Sequence, residues 1–181
     1  VPINNAGDGN GEHPTQTILD GFTIYCFNNK KLSNLRITLI GDLKNGRTVK
    51  SLVKLLNRFD NNHFNFVSPS QLKFSNPLPS KYYETDNIDE VLKDTDILYV
   101  TRVQKEYLSR EENDKVAKQN YHINYGYLTY CNKQTLIMHP LPRDGEINPE
   151  IDEDPRSIYF EQAANGVPVR MALIKHFLKR R

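Results

Sequence analysis

Cysteine is scarce: Cys26 and Cys131 are the only two in 181 residues, and no Cys-x-x-C pair exists. Neither a disulfide framework nor a zinc site is therefore expected, and a reducing compartment fits. Long apolar runs are also missing. No stretch approaches membrane-spanning length and no signal-peptide pattern is present, so a cytoplasmic location without a membrane partner is expected. An excess of charge of one sign is absent too, with 24 basic against 22 acidic residues and a net charge of +2. That balance gives no reason to expect nucleic acid, and the closing Lys179-Arg180-Arg181 reads as a solvated tail. Internal repeats and low-complexity linkers are lacking. With 38% hydrophobic and 25% charged residues the chain reads as one polar globular domain, long enough to bury roughly 70% of its unfolded surface. It begins at Val1, without an initiator Met and directly in a motif-bearing segment, which reads as a piece of a longer protein.

What is present is an alternation of helix and strand patterns. Thr15 to Phe27 reads as a helix, Leu35 to Ile40 as a strand, and Thr48 to Phe59 as a helix with Val49, Leu52, Val53, Leu55, Leu56 and Phe59 at helical spacing. His63 to Val67 is a second strand, and the Pro- and Ser-rich segment Gln71 to Tyr83 has no clear pattern. Asn87 caps a short helix Ile88 to Lys93 with Glu90 completing a capping box. Asp96 to Thr101 is a third strand, and Ser109 caps a helix Arg110 to Gln119. Leu136 to Met138 is a fourth strand, and Ser157 to Leu178 is helical with a break near Gly166-Val167-Pro168. The implied fold class is α/β: a mostly parallel sheet with helices on both faces, a doubly wound three-layer sandwich. Ligands in such folds collect at the carboxyl ends of the strands.

Four polar clusters fall at such ends. Gly41-Asp42-Leu43-Lys44-Asn45-Gly46-Arg47-Thr48 joins a strand to a helix start, where unpaired N–H groups and the positive dipole end favour an anion. The spacing matches the phosphate-binding P-loop except that Arg47 stands where Lys is required. A flat guanidinium suits two-point grasp of a carboxylate, so Arg47 reads as a carboxylate or phosphate clamp; a solvated Arg at a helix start is the alternative. In His13-Pro14-Thr15-Gln16, Pro14 fits the first helical position and leaves His13 at the cap. The dipole disfavours imidazolium there, so His13 is either a neutral donor able to polarise a carbonyl or a plain exposed cap. In Thr101-Arg102-Val103-Gln104-Lys105-Glu106, Arg102 and Gln104 share a side if the backbone stays extended. They then clamp a carboxylate, or else Arg102 pairs with Glu106 or Glu111 in a solvated loop. In His139-Pro140-Leu141-Pro142-Arg143 the prolines remove donors and leave outward carbonyls for an amide or amine. Asp8-Gly9-Asn10-Gly11-Glu12 begins like a calcium loop but has His13 where Gly is needed. His63, His122 and His176 have no ligand spacing, so no metal site is expected.

Taken in order, these clusters resemble the aspartate carbamoyltransferases, specifically their C-terminal, aspartate-binding domain. The likeness runs through Asn5-Ala6-Gly7-Asp8-Gly9, His13 to Thr17, Leu19-Asp20, Gly41 to Thr48, Asp96 to Glu106, His139 to Arg143, and Tyr159-Phe160 through Asn165-Gly166 to Arg170. The ornithine branch shares His-Pro-x-Gln but has a Ser-Met-Gly loop in place of Thr101 to Glu106 and a Cys in place of Pro140. The resemblance implies that His13, Gln16, Leu141 and Pro142 contact carbamoyl phosphate, with His13 catalytic on the carbonyl oxygen. It implies that Arg47 holds the α-carboxylate of L-aspartate while Arg102 and Gln104 hold the β-carboxylate. The reaction it implies uses no metal or cofactor.

The resemblance also implies what the chain does not contain. The family's N-terminal carbamoyl-phosphate domain, with its Ser-Thr-Arg-Thr loop, has no counterpart here, so residues 1–181 are the aspartate-binding domain alone. Family members are homotrimers with sites between subunits, so this piece is expected to hold half a site and to be inactive by itself. Asn45 and Asn113 replace tyrosines common in the family. The helix Ile158 to Leu178 is expected to leave an apolar strip that packs on the missing domain. A transcarbamoylase for another acidic amino acid, a non-catalytic binding or scaffolding module, and a P-loop nucleotide binder are the competing readings.

Overall fold

A computed structural model of the chain describes residues 3–9, 11–111 and 122–179. Five strands form one all-parallel sheet: β1 (Arg36–Ile40), β2 (His63–Val67), β3 (Tyr82–Thr85), β4 (Ile97–Val100) and β5 (Leu136–Met138), in the order β3-β2-β1-β4-β5. The order reverses between β1 and β4, which makes their carboxyl ends the switch point of a doubly wound sheet. Period-two alternation divides the strand residues between two cores. Ile37, Leu39, Phe64, Phe66, Ile97 and Tyr99 face one side, and Ile40, Val67, Leu98, Val100 and Ile137 face the other.

Helices α1 (Pro14–Phe27), α2 (Arg47–Leu56), α3 (Tyr125–Leu128) and α4 (Tyr159–Lys179) join the strands. Val49, Leu52, Val53 and Leu56 of α2 recur at helical spacing and are buried on the first face with Ile24 of α1. The second face is covered by short 3₁₀ turns at Ile88–Glu90, Leu92–Asp94 and Pro149–Glu153 and by α3. α1 packs against both α2 and α4. Its inward side is polar as well as apolar, with Gln16, Asp20 and Thr23 buried beside Leu19 and Ile24.

Four local expectations differ from what is observed. α2 ends at Leu56 rather than Phe59, because Asn62 Nδ2 takes the Leu56 carbonyl at 2.8 Å and so satisfies an orphan acceptor. β3 was not expected: it is an edge strand with exposed Tyr82 and Tyr83 and no apolar alternation. The segment after Asn87 forms 3₁₀ turns. Asn87 does accept from the Asp89 N–H (3.2 Å), but Glu90 accepts from Tyr83 and Thr85 instead of closing a capping box. α4 runs through Pro168 without a break. Hydrogen bonds from Gln162 to Asp20 (2.7 Å) and from Asn165 to Thr23 (3.0 Å) hold α4 on α1 just before the proline, which offsets its lost backbone bond. The helix expected from Arg110, with Glu112 and Asn113, falls almost wholly outside the described residues.

Candidate active site

Three strand ends build the site. After β1 the backbone turns at Gly41, whose φ is +117°. A Cβ there would lie 2.2 Å from the Thr101 carbonyl oxygen, so only glycine lets the β1 and β4 exits touch. Asp42 is fully buried and ties the two exits together. It accepts from the Asn45 backbone (2.9 Å) and side chain (3.0 Å) and from the Gln104 backbone N–H (3.2 Å). The turn delivers Arg47 as the first residue of α2, after Gly46 at the cap, with no acidic residue in the first turn. The helix start is thus left open to an anion.

A cleft of about 240 Å³ opens at this switch point. His13 and Gln16 line it from α1, Arg47 and Thr48 from α2, and Thr101, Arg102 and Gln104 from the exit of β4. His139, Pro140, Leu141 and Pro142 line it from the exit of β5. All seven residues singled out in the sequence, His13, Gln16, Arg47, Arg102, Gln104, Leu141 and Pro142, therefore face one cavity. No acidic side chain is among its lining residues. Among the described residues, no group of three metal-ligating side chains is gathered here or elsewhere.

The cations of the cleft are lightly held. Arg47 Nη1 donates to the Gly9 carbonyl at 3.2 Å, and a Cβ on Gly7 would meet that guanidinium at 3.0 Å. The Asn5 to Gly9 segment is thus a lid of backbone over Arg47. Arg102 lies in a two-point pair with Glu106 (2.6 and 3.2 Å), which raises its pKa and holds Glu106 below the usual carboxylate range. The pair is part-exposed, 35% and 50% at the side chains, so it is worth little. Burial is the first cause of a lowered pKa at His13, followed by the charges of Arg47 and Arg170. His13 is therefore a neutral imidazole, and its Nδ1 is buried with no partner among the described residues. Its backbone N–H donates to Ser51 Oγ at 2.9 Å.

The β5 exit is held from within by an N–H rather than by its carbonyls. Leu141, at φ +50° and followed by a cis bond to Pro142, turns its N–H inward onto His139 Nδ1 at 2.8 Å. His139 Nε2 meets Glu146 at 2.6 Å, and the pair is almost fully buried. Since Nδ1 accepts from the Leu141 N–H, Nε2 is the nitrogen that donates to Glu146. Arg143, grouped with this loop in the sequence, turns away to Asp152 (Nη2–Oδ2 2.6 Å) and stacks over Tyr159. It does not line the cleft. Sequence reasoning gave no role to Asp20, Asp42 or Gln162. Gln16 and Asp20, four residues apart on α1, carried a local signal for the first; the others depend on contacts far along the chain.

The model of the aspartate/ornithine carbamoyltransferase Asp/Orn-binding domain matches residues 33–177. The aspartate carbamoyltransferase catalytic subunit of Clostridium kluyveri is 45% identical, over 96% of this chain and 59% of its own length. That of Alkaliphilus metalliredigens is 46% identical, over 96% and 58%. Among solved structures, the catalytic subunit of M. jannaschii aspartate transcarbamoylase superposes with a TM-score of 0.89 at 42% identity, covering all of this chain and 60% of that one. Trypanosoma cruzi aspartate transcarbamoylase with N-(phosphonacetyl)-L-aspartic acid gives 0.86 at 36% identity, over 96% and 58%. The chain thus spans about three-fifths of the length of the relatives it matches. With most of its residues inside that match, the chain belongs to the aspartate/ornithine carbamoyltransferase family, in its Asp/Orn-binding domain.

Proposed function

We propose that this chain supplies the aspartate half of a carbamoyl-transfer site. The amine of L-aspartate attacks the carbonyl carbon of carbamoyl phosphate, the C–N bond forms, the bond to the phosphate oxygen breaks, and N-carbamoyl-L-aspartate and phosphate leave. This is an early step of pyrimidine synthesis. The observation that carries the reading is that Arg47, Arg102 and a neutral His13 meet on one acid-free cleft at the switch point. Arg47 holds the α-carboxylate; Arg102 and Gln104 hold the β-carboxylate. A two-point guanidinium clamp also explains a preference for aspartate over ornithine, whose side chain ends in an amine that Arg102 repels. His13 donates to the carbamoyl oxygen as charge develops on it, and Gln16, Leu141 and Pro142 orient the carbamoyl group. Catalysis is orientation and charge stabilisation. No step calls for a metal or an organic cofactor, since carbamoyl phosphate brings its own leaving group.

The phosphate ligands come from an N-terminal domain outside residues 1–181 and from neighbouring subunits, in a homotrimer located in the cytoplasm. The strip formed by Ile18, Phe22, Val169, Ala172 and Leu173 between α1 and α4 packs on that domain. NMR titration of the labelled chain with L-aspartate, against L-ornithine and Mg-ATP, tests the substrate assignment. Shifts at Arg47, Arg102 and Gln104 with aspartate alone, lost in Arg102→Ala, are expected. Equal shifts with ornithine would refute the specificity.

A further inference from the structure

We propose that Asp20 is a positioning residue that fastens Gln16 and the 139–142 loop to one another, so that the two sets of contacts assigned above to the carbamoyl group form or fail together. The inference rests on that functional reading but is read from separate geometry. Asp20 is wholly buried on α1 and accepts three hydrogen bonds from three elements. One carboxylate oxygen, Oδ1, takes Gln16 Nε2 from α1 (2.9 Å) and Gln162 Nε2 from α4 (2.7 Å). The other, Oδ2, takes the hydroxyl of fully buried Tyr99 from β4 (2.8 Å). The far end of the Gln162 amide accepts the His139 backbone N–H at 2.9 Å, and His139 in turn holds the Leu141 N–H.

One oxygen atom therefore sits two hydrogen bonds from the β5 exit and one from Gln16. Gln162 has no freedom to flip, since its oxygen is claimed by an N–H and its nitrogen by a carboxylate. Three donors converge on Asp20, and an ionised carboxylate accepts all three as charge-assisted bonds. A proton on Oδ2 reverses the Tyr99 contact, so that the hydroxyl accepts, and leaves Oδ1 a neutral carbonyl oxygen whose bonds to the two glutamines are weaker than those of a carboxylate. Burial works in favour of that proton: it pushes the Asp20 pKa up to about 6, against the pull of Gln162, Tyr99 and Gln16 and of the Arg170 charge on α4. Tyr99, the titratable group that faces it from the sheet, is raised well above its ordinary range by the same burial and stays protonated. The yoke is thus closed above about pH 6 and loosens below it.

Two measurements test this. In the labelled chain, the Gln16 and Gln162 side-chain amides and the Leu141 backbone amide should shift with one shared midpoint near pH 6. The step should vanish in Asp20→Asn, whose amide oxygen still accepts from both glutamines. In the protein with its carbamoyl-phosphate domain, Asp20→Ala should raise KM for carbamoyl phosphate or lower kcat at least tenfold, with KM for aspartate within twofold. Gln162→Met, which cuts only the loop arm, should shift the Leu141 amide and leave Gln16 in place, and it keeps the test open if Asp20→Ala does not fold. Separate midpoints, a step that persists in Asp20→Asn, or equal rises in both KM values would overturn the proposal. A shared midpoint in a chain that ignores aspartate would support the yoke while refuting the assigned substrate.

Discussion

The two halves of the cleft are built on opposite plans. On the side proposed for the carbamoyl group, Gln16 and the 139–142 loop hang from buried groups: Asp20, Gln162, His139 and Glu146 are each 10% exposed or less and hydrogen-bonded to one another or to the loop backbone. On the side proposed for aspartate, Arg47 rests on a backbone carbonyl of an exposed segment, and Arg102 rests on a half-exposed glutamate. The difference is one of exchangeability. Both arginine contacts are weak enough for a dicarboxylate to replace, since a part-exposed ion pair is worth about 1 kcal/mol or less. The buried network is not exchangeable, because any donor left unpaired there costs about 1–3 kcal/mol. One half is thus fixed before any ligand arrives, and the other is held ready by partners that a ligand can displace.

Gly41→Ala is the harshest way to break this contrast. The added Cβ falls 2.2 Å from the Thr101 oxygen at a φ that side chains avoid. The β1 and β4 exits must part, taking Arg47, Arg102 and Gln104 with them. A loss of about 3 kcal/mol in stability is expected from strain and overpacking. Chemical denaturation reads the loss, and aspartate binding should fall with it. Retention of both would show that the exits are looser than their contact implies.

Arg47→Ala and Arg102→Ala strike the exchangeable half alone. Each removes a charge-assisted clamp worth about 1.5–3 kcal/mol, so aspartate affinity should drop roughly tenfold to a hundredfold. Stability should stay within about 0.5 kcal/mol, as both side chains are part-exposed. Calorimetric titration beside a melt separates the two effects. A fall in stability as large as the fall in affinity would mean that the arginines hold the fold rather than the ligand.

The fixed half has a pH signature of its own. Asp20 has a folded pKa of about 6 against an ordinary 3.8, so between these values the native state binds the proton and the unfolded chain does not. Stability from this group therefore rises as pH falls from about 6 to about 4, and the burial penalty is fully present above 6. Paired carboxylates with lowered pKa, such as Asp154 and Glu146, work in the opposite sense as pH falls further. Comparison with Asp20→Asn isolates the first effect: the difference in stability between the two proteins should change by on the order of 2 kcal/mol across that window. A flat difference would mean that Asp20 does not titrate there.

How much of this could be read from the chain follows from the range of each contact. β1, β2, β4 and β5 announce themselves as short apolar runs, and the polar clusters directly after β1, β4 and β5 fall on the cleft because a parallel sheet aligns its carboxyl ends. β3 is silent because its tyrosines lie on an exposed edge. Pro168 misled because its local rule was overridden by two hydrogen bonds to α1, made by residues 142 positions apart in sequence. Asp20 stood among the residues that carry the resemblance, but its role was hidden for the same reason: its partners Tyr99 and Gln162 stand 79 and 142 residues away. Residues that present charge to a ligand carry their type and position in the motif. Residues that hold those in place are specified by the fold, and polar identity on a buried helix face is the only local trace they leave.

Arg143 gives the smallest effect and the sharpest control. It sits two positions after Leu141 and shares its motif, yet its guanidinium pairs with Asp152 and lies 5.7 Å from the centre of the Tyr159 ring, outside both halves of the cleft. Asp152 also accepts from the Tyr159 hydroxyl, and these bonds hold its pKa below the usual range. Its contribution is therefore present above its unfolded pKa near 3.8 and lost as pH falls through the lower folded value. Asp152→Asn keeps the shape and removes the charge. It should cost about 1 kcal/mol at pH 7 and progressively less as pH falls through the lowered folded pKa, with aspartate affinity and the pH step at Gln16 both unchanged. If either moved, the 139–142 loop would be held from the Arg143 side as well, and the division of the cleft into a fixed half anchored on Asp20 and an exchangeable half would have to be redrawn.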